Sequence, residues 1–173
     1  MLSRQNHFPA NGRARKMALP ESQRSAQPNT PMPFDYFTLH GGAGRLWIGH
    51  GAIRGADLIA RNDYILSSKS YEGVRWLLID QTDVISLDLS AEEVRIIKHQ
   101  DDALAAVLPE LITAVVVPTD LAFGMTRMWE ILTERPGWSI RAFRTRFEAD
   151  AWLRQEVRRR FGMEIPPDLS ATA

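Results

Sequence analysis

Two apolar runs constrain this chain more than any other feature: VRWLLID, Val74 to Asp80, and LITAVVV, Leu111 to Val117. Each is short and almost uninterrupted, the pattern of a strand covered on both faces. Such strands belong to parallel sheets, and parallel neighbours need a crossover of about a dozen residues or more between them. The intervening sequence supplies one. In LDLSAEEVRIIKHQDDALAAVLP, Ser90 stands three residues before Glu93, a capping box that starts a helix. Val94, Ile97, Leu104 and Leu108 form its buried stripe, Pro109 bars continuation, and Asp101 and Asp102 read as its solvated face.

The alternation extends both ways. FDYFTLH and RLWIGHG flank GGAG and predict a hairpin with a glycine-rich turn. With His40 opposite Arg45, the side chains of Phe37, Leu39, Leu46 and Ile48 share its apolar face. IRGADLIARNDYILSSKSY follows, with Leu58, Ile59, Ile65 and Leu66 at helical spacing. Beyond LITAVVV, a helix carries Leu121, Met125, Met128, Trp129 and Leu132 on one side, leaving Phe123 off that stripe. WSIRAF alternates like an edge strand, and a last helix from about Arg146 to Phe161 buries Ala149, Trp152, Leu153 and Val157. The order is ββαβαβαβα. It predicts an α/β fold: a single layer with a mixed sheet of about five strands, about four helices and right-handed crossovers.

A chain of 173 residues, 45% of them hydrophobic, can bury one normal core. The folded domain is expected over residues 34–162, with a flexible C-terminal tail over 163–173. Residues 1–33 hold five prolines and no apolar periodicity, and read as a disordered tail. Five basic residues (Arg4, Arg13, Arg15, Lys16, Arg24) face Glu21 alone there, so the segment carries +4 and the remainder −4. An Arg-rich, acid-poor leader mimics a transit peptide, but a solvated tail, or a start at Met17 or Met32, accounts for it better. The mildly acidic body offers no footprint for nucleic acid. Without cysteine there are no disulfides, thiol nucleophiles or thiolate metal sites, and no run reaches the roughly 20 apolar residues of a membrane span. The expected address is the cytoplasm.

The element order, together with LLIDQTDVISLDLSAEEV, AVVVPTDLAFGMTRMWEIL and IRAFRTRFEADAWL, resembles the SpoIIAA-like family within the STAS/Sec14-like domains. The similarity spans about residues 36–157, and its most specific piece is PTDLAFGMTRM. The resemblance implies a STAS-type, non-enzymatic protein-interaction or regulatory module with a protein partner. In the anti-anti-sigma relatives, a serine after an aspartate at the start of the second helix is phosphorylated. Aligning Asp88 with that aspartate puts Leu89 at the modified position and Ser90 one residue late, with Ala91 and Glu92 where glycine is usual. The usual phosphorylatable serine is therefore missing. The Sec14-like side of the resemblance implies an alternative, a small apolar (lipid-like) ligand beneath Phe123, Met125, Met128 and Trp129.

Residue chemistry adds no reaction. The four histidines are not spaced to share a metal, and no metal or other cofactor is expected. Ser90 and Thr119 lack a nucleophile elbow, and helix capping explains both. GGAG lacks the lysine and helix start of a phosphate loop. Residues that follow parallel strands and open the next helix line the crevice where open α/β sheets bind ligands. Asp88, Ser90, Thr119, Asp120, Phe123 and Gly124 are accordingly the expected partner- or ligand-binding face, with Gly124 permitting a close approach.

Overall fold

The structure, a computed structural model, describes residues 32–166. The tail assigned to residues 1–33 lies outside the described residues except for its last two, and that assigned to 163–173 except for its first four. Strands and helices follow the expected order. β1 (Phe34–Leu39) and β2 (Gly44–Arg54) form the hairpin, and α1 (Gly55–Ser67) leads to β3 (Trp76–Asp88). Then come α2 (Ala91–Val107), β4 (Leu111–Val116), α3 (Asp120–Leu132), β5 (Trp138–Phe143) and α4 (Arg146–Phe161).

The five strands lie side by side in chain order. β1 pairs antiparallel with β2, and every later neighbour is parallel. A sheet that grows in one direction through right-handed crossovers carries all of them on one face. The core shows this division. Side chains of α1, α2 and α3 meet Trp47, Leu77, Ile79 and Val115 on the first face. On the second, Ala149, Leu153 and Val157 of α4 meet Trp76, Leu78, Ile112 and Val116. The two-residue period of a strand sends Leu77 and Ile79 one way and Trp76 and Leu78 the other, so both runs had to be apolar throughout. All of β4 is buried.

Four details depart from the sequence reading. The hairpin register sets Thr38, not His40, opposite Arg45, because His40–Gly42 form the turn, with positive φ at all three residues. The slip is two residues, so the predicted apolar face survives: Phe37, Leu39 and Leu46 are buried together with Ile48 against them. Arg45 turns inward and is 3% exposed, donating to the carbonyls of Gly42, Gly44 and Ser70. β3 continues past Asp80 to Asp88, where only β2 pairs with it, through two register irregularities. That ribbon is mostly exposed, so no apolar pattern announced it. Asp101 is not solvated but 6% exposed. Finally, the packed chain passes the boundary set at Gly162: Ile165 is 4% exposed and Met163 lies against the second cluster. Among the described residues α4 is the one helix on that face, and these side chains extend its cover.

Gly44 stands beside Trp76 in the β2–β3 register, and a Cβ there would fall inside the fully buried indole. Gly44→Ala should therefore cost about 1–3 kcal/mol in chemical denaturation, as overpacking does. An unchanged midpoint would show that Trp76 can move.

Candidate functional site

The expected binding face divides into two groups. At the start of α2, the Ser90 Oγ accepts from the Glu93 backbone N–H at 3.2 Å, and the Ser90 N–H donates back to Glu93 Oε2 at 2.8 Å. Glu93 also accepts from the Ala56 backbone N–H, and Gly55 leaves room for its carboxylate. One carboxylate thus joins the first turns of α1 and α2, and these donors hold its pKa below the usual range. Asp88 ends β3 opposite Arg54 and is exposed.

The second group surrounds the start of α3. Thr119 Oγ1 accepts from the Ala122 N–H at 3.4 Å, capping the helix. Arg144, just after β5, pairs with Asp120 at 2.6 Å and donates to the Pro118 carbonyl at 3.2 Å. Its guanidinium lies 4.1 Å from the centre of the Phe123 ring. Among the described residues, no hydrogen bond or ion pair joins the Ser90 group to the Thr119 group.

Two expectations about α3 fail. Phe123 is half-buried and packs against the first core cluster, whereas Leu121, expected in the stripe, is 78% exposed. Apolar residues occupy more than half of this helix's circumference, so periodicity alone does not choose its inner face. No other element of the described chain packs closely at Gly124 either: a Cβ there would meet nothing within 4 Å.

What α3 does form is one wall of a cavity. α1 and α2 pack closely together, while α3 leans mainly on β5, where Glu130 accepts from the Ala142 N–H. A space of about 180 Å³ opens between α2, α3 and the sheet. Met125, Met128 and Trp129 line it, as the apolar-ligand reading expected, but Phe123 does not. Leu77, Ile97 and Leu104 contribute to the apolar lining.

Its polar residues escaped the sequence reading. Arg61, Asn62 and Asp101 all line the cavity. Arg61 donates to Asn62 Oδ1 at 3.2 Å through Nε and at 2.9 Å through Nη2. Asn62 Nδ2 donates to Asp101 Oδ1 at 3.2 Å, and the Trp129 side chain donates to the same carboxylate. Arg135 reaches back from the end of α3 to the Asp101 carbonyl at 3.3 Å and to Asp102 at 2.8 Å. Burial drives the Asp101 carboxyl up to about 6, with Arg61 the foremost opposing charge. A signal did exist: Asn62 lies between Leu58 and Ile65, and Asp101 between Ile97 and Leu104, each at the i+4 place of an apolar stripe.

Among the described residues, no group of three or more His, Asp or Glu is placed to hold a metal ion, and no helix is long and apolar enough to cross a membrane. No protein-family model matches the chain, and no curated protein matches it. Among solved structures, the chain is similar to an uncharacterized protein of the DUF3478 family from Shewanella loihica, described as having a SpoIIAA-like fold. The two are 18% identical, with a TM-score of 0.47, over 74% of this chain and 99% of that one. That description names the fold that the sequence resembles.

Two outcomes test this geometry. Gly124 faces open space inside a helix, so Gly124→Ala should raise stability by roughly 0.5–1 kcal/mol; a loss would mean that something packs there. Asp101 takes its proton near pH 6 when folded and near pH 4 when unfolded. The folded chain holds the extra proton between those values, so this group lowers stability as pH rises through that window, by about 3 kcal/mol in all. Asp101→Asn should therefore gain up to that amount relative to wild type between about pH 4 and pH 7. A difference that stays flat with pH would place Asp101 in solvent.

Proposed function

We propose that the protein is a non-enzymatic binding module that holds a small apolar molecule between α2 and α3. The observation that carries this reading is the cavity of about 180 Å³ with its predominantly apolar lining. An engineered apolar cavity of about 150 Å³ suffices to bind benzene, so the space suits an aromatic ring or a short alkyl chain. Met125 and Met128 add unbranched, polarizable side chains that adapt to more than one shape. The absence of a reaction from this reading rests on the sequence, which assembles no nucleophile with an oriented base. The cytoplasm remains its proposed setting.

A second reading, the protein partner implied by the STAS resemblance, is favoured by one observation. The outer side of α3 exposes Leu121 (78%), Ile131 (72%), Met128 (52%) and Leu132 (48%). Exposed apolar side chains clustered on one element mark interaction surfaces more often than scattered ones do.

Octanol separates the two. Trp47, Trp129 and Trp138 line the cavity, so octanol binding should quench tryptophan fluorescence saturably and raise the melting temperature. Native mass spectrometry of the purified protein should show retained ligand-sized mass. Leu121→Glu with Ile131→Glu should leave octanol binding intact while abolishing any partner captured through α3. No saturable octanol binding, with a clean apo mass, would remove the apolar-ligand reading.

A further inference from the structure

Resting on that cavity reading, we infer that the ligand is an amphiphile: an apolar body with a single carboxylate head, received by Arg61. An arginine is a costly residue to place there. Its guanidinium stacks 4.8 Å from the Trp47 ring centre and 5.9 Å from that of Phe34, and the residue is half-buried. Burial lowers its pKa, and Asp101 acts on it through space as the foremost opposing charge. Among the described residues, no carboxylate comes within the 4.0 Å of an ion pair with Arg61.

The protein uses only part of what the guanidinium offers. Nε and Nη2 both converge on Asn62 Oδ1, which leaves Nη1 without an acceptor among the described residues. Arginine carries five N–H donors in a fixed fork, a geometry that matches a carboxylate. Asp101 does not fill that role, because its carboxylate is engaged by Asn62 and the Trp129 side chain. Nη1 is the donor left over in this cavity, and an anionic head is what it would receive. The remaining lining, with Leu58, Ile65, Ile97 and Leu104, accepts the apolar body.

The inference is tested on the full chain at about pH 8, where alkyl carboxylates are ionised. Octanoate, octanol and octylamine are titrated against tryptophan fluorescence and by calorimetry. Octanoate should bind about tenfold more tightly than octanol, the advantage expected of a charge-assisted contact. Arg61→Gln should bring octanoate down to the affinity of octanol and leave octanol unchanged. Arg61→Lys, which keeps the charge but loses the fork, should fall between. The wild-type comparison needs no substitution, so it decides even if a variant fails to fold. Equal affinities for octanoate and octanol overturn the carboxylate head while the apolar cavity stands. Preference for octylamine overturns it too, and points to Asp101 as the reader of the head. If none of the three binds, this inference and the cavity reading fall together.

Discussion

Right-handed crossovers in a sheet whose strands stand in chain order leave little freedom: every crossover helix must lie on the same face. Three helices therefore share one side of five strands, and α4, which no strand follows among the described residues, covers the other. Much of the rest follows from how those three helices divide their side. α1 and α2 begin together because β2 and β3 continue past the rest of the sheet as a paired ribbon. Glu93 then ties their first turns to one another. Further along, Gln100 of α2 donates to Asp63 at 2.7 Å and to the Ile59 carbonyl at 3.2 Å, both on α1. Two helices locked in this way act as one body. The third does not join them.

α3 is short of partners for a physical reason. Its flanking strands β4 and β5 stop near Val116 and Phe143, so no extended ribbon carries its start towards α2. It leans on β5, is held at its start by Arg144 and at its end by Arg135, and buries no residue fully. The space it fails to fill is the cavity. Asp101 and Arg135 bridge that space, linking a helix of the locked pair to the loose one.

How far this was legible in the sequence depends on what each residue had to reveal. Apolar runs such as LITAVVV report burial on two faces directly, and the capping box at Ser90 and Glu93 is a local device that needs no tertiary context. The hairpin faces survived a wrong register because an even slip preserves the pleat. α3 was misread because its apolar residues surround most of the helix, and only the sheet beneath decides which of them turn inward. The six expected site residues were chosen from the geometry of strand ends: Asp88 closes β3, Ser90 and Thr119 cap α2 and α3, and Asp120, Phe123 and Gly124 lie in the first turns of α3. The cavity polar chain was missed because Asn62 and Asp101 each look like an ordinary interruption. Their meaning lies in the pairing of two interruptions across two helices.

That pairing also bears on why the cavity should be regarded as a site. Three destabilising features meet in one place. A space of about 180 Å³ is left between α2, α3 and the sheet where side chains could otherwise pack. A half-buried guanidinium has no ion pair among the described residues, and a carboxyl has been pushed up to about 6. Each feature alone has an ordinary structural origin. Apolar residues at Arg61 and Asp101 would remove both charges from this place at little or no loss of stability. Local rules broken together around one space are the pattern that a binding site produces, and they support the proposed ligand reading. The polar chain from Arg61 through Asn62 to Asp101 and Trp129 is where that reading can be tested, because it places polar groups on an otherwise largely apolar lining.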